Sequence, residues 1–365
     1  MKFGVYVHWP YCASICPYCD FNVRRDRGGD HGDLIAAIMK DVRAQAARIG
    51  KREVGSVFIG GGTPSLMKGA DVGALIAAVD DAFGLAPGAE ITLEANPEHA
   101  SGFADLVAAG VNRLSLGVQA LRAPALLWLG RRHSVREGIA AVEAAAKTGA
   151  RVSIDLIYAR EGQSTEEWRD ELGEALQLPI EHLSAYQLTI EEGTPFARAV
   201  LRGRLSAQGE EAAATLYEVT QETCEAAGFP AYEISNHARG ANAQSRHNLL
   251  YWRGEEWAGV GPSAHGRVMS DGARLATQAV RDVRGYIEAV NAAGVGWESA
   301  EALSKKEIRE EKILMGLRLR EGIARALTDA KKVEELGDLL CADEMRVRLT
   351  DKGRLLADRI AAELA

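Results

Sequence analysis

The chain of 365 residues contains few cysteines, no long hydrophobic run and no excess of positive charge. Its five cysteines are an odd number in a long chain, which argues against a disulfide scaffold, because such scaffolds are short and rich in cysteine. No segment has the length and apolar character of a transmembrane helix, and residues 1–9 are too short and too polar for a signal peptide. The sequence therefore predicts a cytoplasmic protein with reduced thiols.

Two further absences narrow the range of ligands. Lys and Arg total 43 against 51 Asp and Glu, and this net charge of −8 disfavours nucleic acid, whose phosphates require a basic surface. The GxxxxGK[ST] motif of nucleotide triphosphate loops is absent. The hydrophobic content of 47% is typical of a packed globular protein.

The cysteines that are present include a compact group, Cys12, Cys16 and Cys19, with the spacing CxxxCxxC. Three thiolates in one loop can hold three irons of a [4Fe–4S] cluster and leave the fourth iron open to another ligand. The spacing alone is equally compatible with zinc, for which His8 or one of the two distant cysteines would be the fourth ligand. The rest of the chain has to distinguish these alternatives.

Short apolar, β-branched runs alternate with Ala-rich stretches of helical period, which is typical of βα units around a parallel sheet. We predict strands at residues 3–8, 56–59, 90–95, 113–117, 152–157 and 182–188. We predict helices at residues 34–49, 72–82, 104–109, 135–148, 166–176 and 208–227. Because a complete barrel has about eight such units, six of them predict an α/β fold with a partial, open (β/α)6 barrel.

Polar residues lie near or just after the carboxyl end of each predicted strand, where the loops of a βα fold form ligand sites. In chain order they are the cysteine loop, Gly60-Gly61-Gly62-Thr63-Pro64, Glu94-Ala95-Asn96-Pro97, Gln119, Asp155 and Tyr186-Gln187. The glycine run is compatible with a simple tight turn, and also with backbone N–H and C=O groups exposed to a polar ligand. The shared placement favours one site over the mouth of the sheet.

Several of these motifs resemble the radical S-adenosylmethionine superfamily: the cysteine loop with Tyr18 before its last cysteine, the Gly-Gly-Gly-Thr-Pro run and the acidic third strand. Within it, nearly the whole chain resembles the oxygen-independent coproporphyrinogen III dehydrogenase family. The stretches that carry this resemblance are residues 6–10, 112–119, 129–131 and 155–158. The resemblance implies a [4Fe–4S] cluster on the three cysteines, with S-adenosylmethionine bound to the open iron.

The resemblance also implies where the cofactor lies. It assigns Tyr6 and the Tyr18 region to packing against S-adenosylmethionine, and Gly61, Gly62 and Thr63 to its methionyl amino end. The cofactor is small and zwitterionic, which suits close approach to a glycine backbone.

Four charged or polar residues complete the implied cofactor site. Glu94 would neutralise the amino group or bind the ribose, while Gln119, Arg131 and Asp155 would hold the carboxylate and ribose. A carboxylate accepts from an ammonium or hydroxyl group, and Arg offers a fork to a carboxylate. Each residue taken alone is more simply explained by a structural hydrogen bond or a surface charge, and it is their shared placement that favours a cofactor site.

One position distinguishes two related groups of proteins that this chain resembles. The dehydrogenases have a further cysteine two positions after the third, where this chain has Phe21. A related branch of heme chaperones lacks that cysteine, carries an HNxxYW motif and has no N-terminal extension. This chain matches the motif with His247-Asn248-Leu249-Leu250-Tyr251-Trp252, and it starts almost at its first strand. The chain thus resembles a chaperone that carries heme to apoproteins such as respiratory cytochromes. The alternative is the dehydrogenase, which converts propionates to vinyl groups by radical decarboxylation.

The HNxxYW motif also has a chemical interpretation. Imidazole is a common axial ligand of heme iron, and aromatic rings can wall a porphyrin pocket. We therefore predict His247, Asn248, Tyr251 and Trp252 as heme-site residues, with His265 as a competing ligand. The alternative is that His247 and Asn248 cap or bridge a turn while the two aromatic residues fill a core.

The remaining expectations concern partners, location and the C-terminal region. The resemblance implies an electron donor such as a flavodoxin or ferredoxin, and it leaves open both a homodimer and attachment at the inner face of the membrane. We predict a barrel with its extension at residues 1–266 and a mostly helical, winged-helix-like domain at residues 267–365, with a strand at 346–350. Residues 324–365 contain 8 Lys and Arg against 9 Asp and Glu, which argues against DNA binding.

Two smaller features complete the predictions. Cys224 and Cys341 are expected to be ordinary buried thiols. Family members usually have a Pro after the fifth strand, where this chain has Ala159-Arg160-Glu161. This departure frees the loop backbone and is expected to place a negative charge near the site.

Overall fold

The computed structural model describes residues 3–365, so Met1 and Lys2 of the opening segment lie outside the described residues. Eleven strands form one large sheet. In chain order they are β1 Phe3–Trp9, β2 Val54–Gly61, β3 Leu85–Ala95, β4 Arg113–Gln119, β5 Arg151–Tyr158, β6 His182–Gln187, β7 Asn236–Ala238, β8 Glu256–Val260, β9 His265–Ser270, β10 Ala273–Ala279 and β11 Trp297–Ala302.

The spatial order of the sheet is β11-β10-β9-β8-β1-β2-β3-β4-β5-β6-β7. Strands β1 to β6 are parallel neighbours in sequence order, as predicted, and form the partial (β/α)6 barrel. A seventh parallel strand, β8, pairs with β1 and was not predicted. Antiparallel strands flank the parallel set on both sides.

Helices follow the barrel strands at the predicted positions. The α-helices are α1 Gly32–Ile49, α2 Gly69–Ala82, α3 Phe103–Ala108, α4 Ala123–Trp128, α5 Val135–Lys147, α6 Thr165–Leu176, α7 Pro195–Leu201, α8 Glu210–Ala226, α9 Arg246–Trp252, α10 Val283–Ala293, α11 Lys305–Gly316, α12 Ala330–Glu335, α13 Asp351–Arg354 and α14 Ala357–Leu364. Helices α5 and α6 begin at capping boxes, Ser134 with Glu137 and Ser164 with Glu167, which satisfy the free N–H groups of the first turn.

The core of the barrel lies between the sheet and its surrounding helices. Val5, Leu93 and Leu116 on the central strands are completely buried, as are Ile38 on α1 and Leu172 on α6. Strands covered on both faces are expected to be apolar almost throughout, and β4 is buried at six of its seven residues. The apolar runs in the sequence therefore predicted strands β1 to β6.

The C-terminal region has a small sheet and a core of its own. Its strands, β12 Ile323–Ala324, β13 Leu340–Ala342 and β14 Arg346–Leu349, pair antiparallel in the order β12-β14-β13. The residues of this core are Ile313, Leu317, Ile323, Leu340, Val347, Ile360, Ala361 and Leu364. Helices around three short strands give the winged-helix-like arrangement expected there.

The predicted domain boundary at residue 266 falls inside β9, and the large sheet continues as far as Ala302. The division into domains stays a prediction, and continuity of the sheet favours a boundary after Ala302.

The C-terminal region contacts the barrel through buried Arg354, which donates to the Glu233 carbonyl and the Tyr217 hydroxyl.

The two cysteines outside the loop differ in burial. Cys224 is fully buried on α8, as expected. The expectation for Cys341 was wrong, because the side chain is exposed on the edge strand β13.

No helix within residues 3–365 is long and apolar enough to cross a membrane.

Candidate functional site

A cavity of about 350 Å³ lies at the carboxyl ends of the parallel strands. Most of the residues predicted to hold a cluster and its cofactor line it. They are Cys12, Cys16, Cys19, Tyr18, Gly61, Gly62, Thr63, Glu94, Gln119, Arg131 and Asp155. The structure thus brings together side chains as far apart in the sequence as Cys12 and Asp155, which are separated by 143 positions.

Each of the three cysteine sulfurs has a hydrogen-bond donor beside it. Arg131 donates from Nη1 to Cys16 Sγ at 3.5 Å. The Thr63 hydroxyl donates to Cys12, and the backbone N–H of Phe21 donates to Cys19. A sulfur that accepts hydrogen bonds is suited to the thiolate form, which is the form that binds metal.

The chemistry of the three thiols fits an iron–sulfur cluster. Burial raises the pKa of Cys12, and it raises the pKa of Cys19 to about 11, so both thiolates need a nearby positive charge. No group of three or more His, Cys, Asp or Glu side chains in residues 3–365 converges on a point where one metal ion could bind. A cluster does not require such convergence, because each cysteine binds a different iron.

The glycine run packs directly against the cysteine loop. Gly62 N donates to Trp9 O at 2.6 Å, and Thr63 N donates to Tyr11 O at 2.8 Å. A Cβ on Gly62 would lie 2.5 Å from the Tyr11 carbonyl oxygen, so this approach requires glycine. The N–H groups of Gly61, Gly62 and Thr63 are thus bonded within the protein, so a ligand could contact this part of the run through its carbonyl oxygens.

Two carboxylates face the cavity from β3 and β5. Glu94 Oε2 accepts from Gly61 N at 2.9 Å, and Asp155 Oδ1 accepts from the Ser115 hydroxyl at 3.5 Å. Burial raises the pKa of Glu94 to about 7 and that of Asp155 to about 6, and repulsion from Asp155 adds to the shift at Glu94. A cationic ligand would favour the ionised form of both groups.

Arg131 connects the cysteine loop with the sheet. Its Nη2 donates to Asn96 Oδ1 at 2.7 Å and to the Gly117 carbonyl at 2.9 Å, while Nη1 reaches Cys16. Its Nε is buried without a hydrogen-bond partner in the described chain. Arg131 therefore keeps one donor free beside the cavity.

Gln119 adopts a backbone conformation that is uncommon for a residue with a side chain. Its φ is 67°, and its buried Oε1 has no partner among residues 3–365. Backbone strain of this kind is found preferentially at functional sites. The free amide oxygen can accept a hydrogen bond from a ligand hydroxyl.

Tyr6 is the one predicted cofactor residue that does not line the cavity. Its hydroxyl lies 2.9 Å from His8 Nδ1, and His8 Nε2 lies 3.1 Å from the Asn22 carbonyl. Tyr6 and His8 thus support the end of the cysteine loop from beneath.

The HNxxYW motif lies away from the cavity, on α9. His247 is completely buried, with Nδ1 2.9 Å from the Ser56 hydroxyl and Nε2 2.7 Å from the Tyr251 hydroxyl. Its ring stacks on Phe58 with centroids 5.3 Å apart, and burial lowers its pKa to about 3. Both ring nitrogens are occupied, so this conformation leaves none for a heme iron.

The other residues of the motif and the competing histidine also lie outside the cavity lining. Asn248 bonds through its backbone N–H to Ser245 Oγ, the cap of α9, and Trp252 packs beneath the Arg318 guanidinium. His265 is exposed at the start of β9. In this conformation the motif forms a packed helix capped by Ser245, and heme ligation by His247 stays a prediction.

Sequence reasoning missed several lining residues. Asn96 orients Arg131, and Ser115 binds Asp155, although neither was given a role. The strand period of two could have identified Ser115, since it shares a face of β4 with Gly117 and Gln119. At the mouth, three apolar side chains are partly exposed: Ile15 (47%), Phe21 (61%) and Tyr186 (44%).

The charge introduced by Glu161 does not reach the cavity. Its carboxylate accepts from Ser206 N at 2.7 Å, on the surface of the protein. The preceding Arg160 is buried and pairs with Glu171. The expectation of a charge near the site is therefore wrong, because the loop turns Glu161 outward.

The chain is similar to several known proteins. The radical SAM superfamily model matches residues 6–175. The chain is 38% identical to the heme chaperone HemW of Mycobacterium tuberculosis, over 99% of this chain and 94% of that protein. It is 37% identical to radical S-adenosyl methionine domain-containing protein 1, mitochondrial, of Danio rerio, over 98% of this chain and 85% of that protein.

A solved structure also resembles the fold. Coproporphyrinogen III oxidase, HemN, from Escherichia coli superposes with a TM-score of 0.82 at 21% identity, covering 99% of this chain and 89% of that one. At this identity the likeness concerns the fold alone.

Proposed function

Because the chain belongs to the radical SAM superfamily and, within it, to the family of the HemW heme chaperones, we propose that it binds heme and delivers it to apoproteins such as respiratory cytochromes. The observation that carries this proposal is the full-length similarity to HemW together with Phe21, which occupies the position of the dehydrogenases' additional cysteine. The test is whether the reconstituted protein binds heme and leaves coproporphyrinogen III unchanged.

Cys12, Cys16 and Cys19 would hold the [4Fe–4S] cluster, and the residues around them would bind S-adenosylmethionine. When bound, the cluster and S-adenosylmethionine supply one-electron chemistry. Glu94 would accept a hydrogen bond from the amino group of S-adenosylmethionine, and the free Nε of Arg131 would donate to its carboxylate.

The ribose end would lie against β4 and β5. Gln119 Oε1 and the Asp155 carboxylate are acceptors that suit the two hydroxyl groups. Phe21, Ile15 and Tyr186 surround the mouth with apolar surface, which limits the access of water to the cofactor.

The raised pKa values of Glu94 and Asp155 predict that S-adenosylmethionine binding weakens in acid. Its ammonium and sulfonium groups require ionised carboxylates, so affinity should fall about tenfold between pH 8 and pH 6 as these groups are protonated. Equilibrium dialysis of the reconstituted protein would measure this dependence.

The matched variants are Glu94→Gln, which should weaken binding and flatten its pH dependence, and Glu143→Gln, which changes an exposed helical carboxylate and should alter neither. In the ligand-free chain, acid has the opposite effect on the stability of the fold. A carboxyl whose folded pKa is raised makes the fold more stable as pH falls below about 7. An affinity that is constant from pH 8 to pH 6 would contradict the assignment of these carboxylates.

We propose further that heme ligation by His247 requires α9 to release the imidazole. The bonds from His247 to Ser56 and Tyr251 would have to break first. Loosening them with Ser56→Ala and Tyr251→Phe should therefore speed heme binding, whereas His247→Ala should remove the heme absorption band of a histidine-ligated iron. His265→Ala serves as the matched control.

Two outcomes would contradict this assignment. If His247→Ala bound heme with the wild-type spectrum, the motif would be structural. If His265→Ala alone removed the band, the exposed histidine on β9 would be the ligand. His247→Ala should also cost about 2–4 kcal/mol of folding free energy, since it removes a buried ring and leaves two hydroxyl groups unpaired.

A further inference from the structure

Two neighbouring strands of the barrel end at residues with left-handed backbone conformations. Gln119, the last residue of β4, has a φ of 67°, and Ala159, which follows β5, has a φ of 57°. The N–H of Ala120 donates to the carbonyl of Val118 at 2.8 Å, which closes a three-residue turn around Gln119. Such a turn with a positive φ is rare and strained, so surrounding contacts have to hold it in place.

A single carboxylate on α6 holds both strand ends. Glu171 Oε1 accepts from the backbone N–H of Leu121 at 2.6 Å, two residues after the strained Gln119. The same carboxylate pairs with the guanidinium of Arg160, the second residue after β5. Arg160 Nη1 in turn donates to the carbonyl of Ile157 at 3.1 Å, on β5 itself. The ion pair therefore joins the ends of the two strands to each other and to α6.

The burial of this ion pair is not explained by stability alone. The side chain of Glu171 is completely buried, and that of Arg160 is only 9% exposed. Well-packed apolar side chains of similar volume often give a fold that is equally stable or more stable than a buried ion pair. Apolar side chains could not accept a hydrogen bond from Leu121 N, and this bond is what the carboxylate adds.

We propose that Glu171 and Arg160 are positioning residues for the ribose of S-adenosylmethionine, because they hold the turn that directs the Gln119 amide into the cavity. Gln119 lines the cavity and its buried Oε1 has no partner among residues 3–365, whereas Glu171 and Arg160 do not line it. The pair thus acts through Gln119 and does not touch the cofactor. This inference rests on the proposed function for the place of the cofactor.

Loss of the bond at Leu121 should let the strained turn relax. The Gln119 amide would then move away from the position in which it can accept from a ribose hydroxyl. A binding group has to be held to within about 0.5 Å of its working position, so a small rearrangement of this turn is enough to lower affinity.

The test is the affinity of the reconstituted protein for S-adenosylmethionine, measured by calorimetric titration. Both residues are changed together, because a single substitution would leave one buried charge without its partner. Arg160→Met with Glu171→Met, the acceptor-free variant, should bind about tenfold more weakly than the wild type. Arg160→Met with Glu171→Gln, the amide variant, keeps an oxygen for Leu121 N and should bind within about threefold of the wild type.

Two further measurements show whether the ion pair acts through the turn. Gln119→Ala should itself weaken binding, and combining it with the acceptor-free variant should weaken binding little further, since coupled residues are not additive. In the chain without a cluster, the Leu121 amide hydrogen should exchange with solvent faster in the acceptor-free variant than in the wild type or the amide variant.

The matched control is the exposed ion pair that joins the same loop to the same helix. Arg122 and Glu174 have side chains that are 35% and 58% exposed. Exposed pairs contribute little, so Arg122→Met with Glu174→Gln should change neither the affinity nor the exchange of Leu121.

Three results would overturn the proposal. The first is an acceptor-free variant that binds S-adenosylmethionine with wild-type affinity, and the second is an amide variant that binds as weakly as the acceptor-free one. The third is full additivity of the acceptor-free variant with Gln119→Ala. Each of these leaves the proposed function intact. A wild-type chain that binds no S-adenosylmethionine would instead contradict the proposed cofactor site, and the positioning role with it.

Discussion

Replacing Cys16 by Ser should lower the iron bound after anaerobic reconstitution to about a tenth of the wild-type amount or less, with loss of the cluster's visible absorption. Three cysteines and no fourth one line the cavity within residues 3–365, so the loss of one leaves too few thiolate anchors. S-Adenosylmethionine binding should be lost as well, since the open iron of the cluster would be one of its contacts. Iron and sulfide analysis with visible spectroscopy measures the effect.

Cys341→Ser is the control for this experiment. That thiol is exposed in the C-terminal sheet, and its replacement should leave iron content and folding unchanged. Circular dichroism of the Cys16→Ser chain should remain that of the wild type, because most of the fold's stability comes from the apolar core. A full complement of iron in Cys16→Ser would show that the loop does not hold the cluster.

Replacing Arg131 by Met should weaken S-adenosylmethionine binding about tenfold or more. The substitution removes the donor to Cys16, releases Asn96 from its partner and deletes the Nε that would meet the carboxylate. Arg131→Lys should have an intermediate effect, because an ammonium retains the charge without the planar fork. Calorimetric titration of the reconstituted proteins measures the affinities.

The neighbouring Arg132 provides a control that differs only in its environment. Its side chain is exposed, so Arg132→Met should bind S-adenosylmethionine as the wild type does. If Arg131→Met also retained wild-type affinity, Arg131 would be a structural tie between the cysteine loop and the sheet. The midpoint of thermal unfolding would then be the only property to fall.

Local sequence patterns were sufficient to predict the barrel and most of its site. The parallel strands carry uninterrupted apolar runs, and the helices carry a helical period, so strands and helices were assigned close to their observed limits. Polar residues at the carboxyl ends of the strands and just after them identified the cavity, because the carboxyl ends of parallel strands meet at one edge. No long-range information was needed for either conclusion.

Other features depended on contacts between distant residues and could not be predicted. Strand β8 is five residues long and pairs with β1 across more than two hundred positions. The hydrogen bond from Arg131 to Cys16 spans 115 positions, and sequence spacing gives no sign of it. The motif on α9 was correctly associated with the heme chaperones, but its letters did not indicate that His247 faces Ser56 beneath the sheet.

The sequence left two possibilities for the glycine run: a tight turn, or backbone N–H and C=O groups exposed to a ligand. The structure bonds the N–H groups of Gly61, Gly62 and Thr63 to Glu94, Trp9 and Tyr11, so contact with a ligand through the C=O groups stays a prediction. The run does approach another part of the chain closely, and that part is the cysteine loop. The glycines therefore shape the cluster site, and the side chains of β3, β4 and β5 provide most of the cavity's polar groups.

The central claim is that this chain carries heme and does not oxidise porphyrinogens. The most direct measurement is to reconstitute the protein anaerobically with iron and sulfide, supply a reductant and S-adenosylmethionine, and incubate separate samples with heme and with coproporphyrinogen III. We predict stable heme binding, seen as a shifted heme absorption spectrum, and no formation of protoporphyrinogen. Protoporphyrinogen formation at enzymatic rates, with no retention of heme, would contradict the account.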